Sequence, residues 1–198
     1  MCWSASVSLN TYIFGLFACI FSYMNNRIKL PNLFFYQSFM IMQLIEYFVW
    51  KKQFSNKLLS QIAFILILSQ PIFGILVIDN IKIKYTSLIC YLIFLIILFI
   101  VNPWDSIEFK MEKSSNGHLS WKWLKLSIPI LIIWLIFLSL NTIIKKDYLS
   151  LLFLNISAVT SYILFYKTLT LGSLWCWISN FLALYLIWDV FYNDFCSI

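Results

Sequence analysis

One carboxylate stands well inside an apolar stretch of this sequence, at Glu46. Gln43 precedes it by three residues and Trp50 follows it by four, so a helix would place the three side chains on one face. An ionised carboxylate in such surroundings is costly unless it is paired or hydrated. Glu46 is therefore predicted to bind an ion, a proton or a small substrate. The alternative is a carboxylate that reaches interfacial water or Lys51 and Lys52, which close the stretch.

A second polar feature is the pair Gln70-Pro71, near the middle of another apolar stretch. Proline removes one backbone donor and frees a carbonyl of the preceding turn. Gln70 would then either satisfy that carbonyl or point into the interior. Broken helices of this kind form ligand sites in many transporters, and they are also ordinary kinks.

Two further residues complete a candidate polar site. His118 is the one histidine, and Asn180 follows a Trp-Cys-Trp segment at the start of the last apolar stretch. A second histidine and a Cys-x-x-Cys pair are both missing from the sequence, so no metal site, cofactor or catalytic residue is predicted. The five predicted site residues are Gln43, Glu46, Gln70, His118 and Asn180.

Composition decides the class of protein that must position these residues. Of 198 residues, 62% are hydrophobic and only 11% are charged. Soluble domains average about 25% charged residues, so an ordinary soluble globule is excluded. The net charge of +6 is not gathered into one basic region, so nucleic acid is not predicted as a partner. The remaining class is an integral membrane protein of many spans, with the lipid bilayer as its first partner.

Seven apolar runs predict an all-α bundle of about seven transmembrane helices in one domain, residues 1–198. Runs such as Ile89–Val101 are apolar at every position, unlike the alternating strands of a membrane barrel. The N-terminus lacks the basic residues of a signal peptide, so the first run is expected to be a retained helix. The predicted spans are 8–23, 32–50, 58–78, 85–101, 124–140, 148–166 and 174–192.

The polarity of the runs predicts their positions in the bundle. The fourth and fifth runs carry almost no polar residues and are expected on the lipid-facing rim. The sixth run contains Ser157 and Ser161, four residues apart, a pattern typical of close helix packing, so it is expected to be central. The longest loop, 102–122, includes a Ser-Ser-Asn-Gly turn, and its residues 107–113 are expected to form a short interfacial helix.

Because successive spans alternate in direction, every second loop would lie on the same side of the membrane as the N-terminus. We call it the A end and the opposite side the B end. Lys and Arg are slightly more numerous in the A-end loops, which favours the cytoplasm for the N-terminus. Glu46 and His118 both belong to this end, so a polar cup open to the A end is predicted. Its predicted aromatic rim consists of Trp3, Trp50, Trp121, Trp123, Trp175 and Trp177.

Several short tryptophan-rich motifs resemble an uncharacterised multispan membrane family of large DNA viruses and microbial eukaryotes. The motifs are MCWS (1–4), MQLIEYFVW (42–50), SQP (69–71), GHLSWKW (117–123) and GSLWCW (172–177). The resemblance extends over nearly the whole chain and implies a membrane protein. It assigns no activity to any residue.

Three functions fit these residues. The first is a translocator of a small solute or ion, with Glu46 as a ligand. The second is a structural or scaffolding membrane protein whose tryptophans anchor it or dock a partner. The third is a lipid-acting membrane enzyme with Glu46 and His118 as acid and base, a thin catalytic set. The sequence leaves the solute, the membrane and the oligomeric state open.

Overall fold

The computed structural model describes residues 4–125 and 127–195, without the side chains of 173–178 and 193–195. Each apolar run is one helix there, so the all-α prediction is confirmed. Helices α1, α3, α4 and α6 are long and apolar enough to cross a membrane, as expected of an integral membrane protein. The helices are α1 (Ala5–Met24), α2 (Leu30–Lys51), α3 (Asn56–Leu76), α4 (Ile81–Val101), α5 (Ile128–Ile144), α6 (Tyr148–Phe165) and α7 (Leu171–Phe195).

Local sequence signals start the helices where the structure has them. The hydroxyl of Ser4 accepts a hydrogen bond from the Val7 amide, and Asn80 and Asp147 cap α4 and α6 in the same way. Proline stands in the first turn of α2 and of α5, where its missing N–H costs nothing. The predicted bounds differ from the observed ones by a few residues at most helix ends.

The helices are packed around α2 and α3. Helix α1 packs between α2 and α7, α3 contacts α2, α4 and α5, and α6 contacts α5 and α7. Helix α4 is largely exposed, which confirms its predicted place on the rim. The prediction that α6 is central is wrong: of its residues only Ser161 is buried. A small-xxx-small pattern favours close packing only where a partner helix lies against it, and in the described part of the chain the main helix contacts of α6 are those with α5 and α7.

Helices α1 and α2 approach each other closely at Gly15. A Cβ atom added to Gly15 would collide with the Met40 sulfur, so a larger residue there requires the Met40 side chain to move. The two helices are consecutive and antiparallel. Stepping from Gly15 toward the A end by one and two turns therefore places Thr11 near the level of Gln43, and Ser8 near the level of Glu46. This register sets the surroundings of the candidate site.

Pro71 makes α3 the connecting helix of the bundle. Because proline has no N–H, the Ile67 carbonyl four residues earlier lacks its helical donor. The indole N–H of Trp134 on α5 donates to that carbonyl at 3.2 Å. The Tyr91 hydroxyl on α4 donates to the next carbonyl, Leu68, at 2.7 Å. The break in one helix is therefore repaired by side chains from two others.

The long loop forms a β-hairpin instead of the interfacial helix expected over 107–113. Strand β1 (Met111–Lys113) pairs antiparallel with β2 (Leu119–Trp121). The predicted turn lies between the strands, with Gly117 at φ +84°. Met111, Leu119 and Trp121 are buried, so an alternating strand pattern, not a helical one, puts the apolar side chains on one face.

The Trp134–Ile67 hydrogen bond yields a test by double substitution. We expect Trp134→Phe to lower the free energy of unfolding by about 1 kcal/mol, because the Ile67 carbonyl loses its donor in a nonpolar environment. In a Pro71→Ala background the restored backbone N–H can serve that carbonyl, so the same substitution should cost much less. Reversible unfolding in mixed detergent micelles measures the four values. Equal costs in both backgrounds would contradict the assignment.

Candidate polar site in the α1, α2 and α7 interface

Two predicted site residues, Gln43 and Glu46, lie on α2 where it faces α1 and α7. Both side chains have 0% exposure. Asn180 of α7 donates from its amide to the Thr11 hydroxyl of α1 at 3.3 Å, which fastens the two neighbours of α2 to each other. Thr11, Gln43 and Asn180 each lie about 9–14 Å from the A end of their helix, at 1.5 Å per residue. The structure thus brings these residues to one depth.

Burial of Glu46 corrects part of the sequence interpretation. The carboxyl does not reach surface water, and the predicted cup does not open to it in this conformation. A carboxyl at 0% exposure inside helices of this kind keeps its charge only if a bound cation or hydrogen-bond donors compensate it, and otherwise it holds a proton. Solvent access to Glu46 requires a movement of the surrounding elements.

Gln70 belongs to a different place. Its amide donates to the Ser38 backbone carbonyl of α2 at 3.2 Å, nearer the B end than Gln43. The side chain therefore points into the bundle, as one of the two predicted alternatives has it, and there it joins α3 to α2. It is a packing residue in this structure and does not face Glu46.

Sequence analysis missed a row of small polar residues on α1. Ser8, Thr11, Cys19 and Ser22 recur at helical spacing along one buried face of this helix. On the facing helix α2, Gln37 lies closer to the B end than Gln43 and forms a side-chain hydrogen bond with Cys19. Polar side chains therefore line the α1–α2 interface from the A end toward the B end. The sequence does contain the signal for this face, because small residues recur every three or four positions from Ser8 to Ser22 within the first apolar run.

The hairpin covers the A end of the bundle. Asn56, at the start of α3, forms two hydrogen bonds with the Met111 backbone, at 2.6 and 2.9 Å. The Trp121 amide donates to the Leu169 carbonyl at 2.8 Å, and Asn116 donates to the Thr170 hydroxyl at 2.9 Å. These contacts tie together the loops before α3, α5 and α7. Segments that are far apart in the sequence therefore meet at one end of the helix bundle.

The tryptophans of the A end are core residues where they are described. Trp121 is 0% exposed and Trp123 is 3% exposed, and their rings stack at a centroid distance of 5.0 Å. They pack in one apolar cluster with half-buried Trp50, and their three indole N–H groups have no acceptor among the described residues. Trp50, Trp121 and Trp123 therefore form a buried aromatic cluster, which we call the plug, and not the exposed rim that the sequence predicts. Trp3, Trp175 and Trp177 lie outside the described side chains.

His118 is part of the hairpin, whereas Glu46 is on α2. The backbone N–H of His118 donates to the side-chain oxygen of Asn116 at 3.1 Å in the turn. Burial lowers the pKa of its imidazole, which favours the neutral ring near pH 7. Among the described residues, no group of three or more His, Cys, Asp and Glu side chains is placed to hold a metal ion.

An ion-pair cluster holds the outer face of the hairpin. The Glu112 carboxylate on β1 contacts the Lys110 ammonium at 2.6 Å and the Lys122 ammonium at 3.0 Å. Hydrogen bonds from these two lysines lower the pKa of Glu112, and Glu112 in turn raises the pKa of Lys110. The cluster links β1 to the segment that leads into α5.

Comparisons with protein-family models, with curated proteins and with solved structures find no significant match for this chain. The resemblance to the viral and microbial membrane family therefore stays a prediction. Residue roles have to be argued from the geometry alone.

Gly172 generates a prediction about the plug. A Cβ atom at this position would collide with the Trp121 ring, so we expect Gly172→Ala to cost about 2 kcal/mol of unfolding free energy. Gly74→Ala is the matched control, because the nearest atom to its added Cβ, on the edge of the Phe35 ring, would be 3.2 Å away. Thermal melting of both variants gives the comparison. A Gly172→Ala protein as stable as Gly74→Ala would refute the close contact.

The ion-pair cluster predicts a pH dependence of the hairpin. Because the folded pKa of Glu112 lies below its ordinary value of about 4.3, its contribution is complete above that pH. It is lost as the pH falls through the lowered folded pKa. Amide hydrogen-exchange protection of the hairpin should therefore fall at acidic pH in the wild type and change less in Glu112→Gln. Asp105→Asn, a substitution of an exposed loop carboxylate outside the cluster, should retain the wild-type profile.

Proposed function

We propose that all seven helices cross the bilayer. Helices α2 and α7 have 22 and 25 residues, enough for a core of about 30 Å. Helix α5 has 17 residues, about 25 Å, which local thinning of the bilayer accommodates. Support comes from the ends of the bundle: the hairpin gathers the A-end loops, and Lys29 pairs with Asp79 at 3.8 Å between two B-end loops. The excess of basic residues favours a cytoplasmic A end.

We propose further that the protein translocates a proton or another small cation, or a small solute coupled to it. The observation that carries this proposal is the complete burial of Glu46 and Gln43 on α2. Ionisable side chains inside membrane helices are expensive, and they commonly mark ion pathways and proton relays. A protein that served only as an apolar scaffold would have no need of a buried glutamate and its unfavourable free energy.

The polar row on α1 supports a route past Glu46. Ser8 and Thr11 lie near the levels of Glu46 and Gln43, and Cys19 and Ser22 continue the row toward the B end. A transported cation would meet oxygen and amide groups at both ends of this interface, and the Gly15–Met40 contact between them would have to open for its passage. The plug of Trp121 and Trp123 closes the A end in this conformation, so the structure corresponds to a closed state of the proposed cycle.

Glu46→Gln tests the proposal in sealed vesicles that contain the purified protein. Wild-type protein should dissipate an imposed proton or sodium gradient faster than empty vesicles. We expect Glu46→Gln to reduce that rate at least tenfold, because the amide cannot exchange a proton or neutralise a cation. Its melting temperature should stay within a few degrees of wild type. Glu108→Gln, on the exposed loop, is the matched control and should transport normally.

Two results would overturn this function. One is wild-type protein that leaves both gradients unchanged when inserted in either orientation. The other is Glu46→Gln with undiminished flux. Glu46→Gln that keeps the fold and raises its stability would favour a structural role for the interface, since removing a buried charge then only relieves a cost.

A further inference from the structure

An apolar cavity lies near the A end, away from Glu46. Its volume is about 280 Å³, and it is a half-open space lined by α3, α4, α5, α6, the start of α7 and the segment before α5. Trp123 and Trp134 form part of its wall, and Ala158 and Ser161 of α6 form the opposite part. Almost all of the lining is hydrocarbon or aromatic ring. Water finds few hydrogen-bond partners in such a space, whereas transfer of an apolar group from water into it is favourable.

A groove on the outer surface continues from this cavity. It lies between α4 and α5, has a volume of about 430 Å³, and shares Phe94, Leu98 and Ile130 with the cavity lining. Helix α4 contacts α5 only sparsely, which leaves the groove unfilled. The groove and the cavity therefore adjoin, with Phe94, Leu98 and Ile130 as their common wall.

The outer end of the groove opens on a face that lipid must cover. Ile93 and Ile97 on the α4 side are more than half exposed, at 51% and 53%. In an integral membrane protein, exposed isoleucines in the middle of a spanning helix contact acyl chains. Lipid is therefore the molecule present at the entrance at the highest concentration.

The A-end mouth of the groove has polar residues at the level of the headgroups. Ser127 lines the groove directly, just before α5 begins. Lys125, two residues earlier, is exposed at the same end of the helix. A cation and a hydroxyl beside an apolar groove match the phosphate and the chain of one lipid molecule.

We propose that the space between α4, α5 and α6 is a binding site for an anionic phospholipid. One acyl chain lies in the groove and its end enters the cavity beside Trp123 and Trp134, while the phosphate lies at Lys125 and Ser127. The site is separate from the α1–α2–α7 interface and depends only on the protein's being embedded in a bilayer. Occupancy would fill the gap that the sparse α4–α5 contact leaves, and thereby stabilise the position of α4.

Brominated lipid tests this site, because bromine on an acyl chain quenches tryptophan fluorescence on contact. The full chain is placed in phosphatidylcholine nanodiscs, and chain-brominated phosphatidylglycerol is titrated as a minor component. Quenching should saturate at a low mole fraction of the anionic lipid, since binding at the site is selective. Chain-brominated phosphatidylcholine at the same fractions should quench only in proportion to its amount.

Ala158→Phe fills the cavity and should raise the mole fraction needed for half of the saturable quenching at least fivefold. Ile156→Phe is the matched control, because Ile156 is on the same helix, is 55% exposed and does not line the cavity. Lys125→Ala should remove the preference for the anionic lipid and leave chain entry intact. If Ala158→Phe does not fold, Ser161→Leu replaces it.

Saturable quenching that is unchanged in a folded cavity-filling variant would overturn the site. Equal quenching by the anionic and the neutral lipid would overturn the assignment of the headgroup. Neither result affects the Glu46 proposal, because ion flux is measured in separate vesicles and with a different variant.

Discussion

The missing N–H of Pro71 is the constraint around which the bundle is arranged. It leaves the Ile67 carbonyl without a helical donor in surroundings where lipid can supply none. Trp134 of α5 supplies the donor, Tyr91 of α4 binds the adjacent carbonyl, and Gln70 reaches the α2 backbone. Helix α3 therefore holds three neighbours through directed hydrogen bonds near one point. Apolar packing alone could slide along the helix, whereas these contacts determine one axial register.

The remaining helices form two regions on either side of α3. The α1–α2–α7 region is tightly packed and polar inside, with Gly15 against Met40 and Glu46 excluded from solvent. The α4–α5–α6 region is loosely packed and apolar inside. The first suits a charged species that must be screened from lipid, and the second suits lipid itself. The hairpin bridges the two at the A end through Asn56, Leu169 and the stacked tryptophans.

Sequence reasoning located the helices because an apolar run long enough to span a bilayer has few other structures available. It also located Glu46, because a carboxylate inside an apolar run is conspicuous, and Gln43, because a residue three positions earlier lies on the same helix face. Side-chain placement was less predictable. The burial of Trp121 depends on Gly172, which is distant in sequence, and the position of α6 depends on which neighbours it lacks. The hairpin was missed because its strands have three residues each, too few to establish an alternating pattern. Nothing in the sequence pattern indicated the cavity, which results from two helices failing to meet.

The Pro71 break also bears on how the protein is made. Helix α3 is synthesised long before α5, and the Ile67 carbonyl must wait for a tryptophan that lies 67 residues further along the chain. During that interval the Ile67 carbonyl has only water or a local adjustment of α3 to satisfy it, because hydrocarbon offers no donor. The hydrogen bond that fixes the register of α3 against α5 therefore forms only after α5 has been synthesised, which makes it a late contact in the assembly of the bundle.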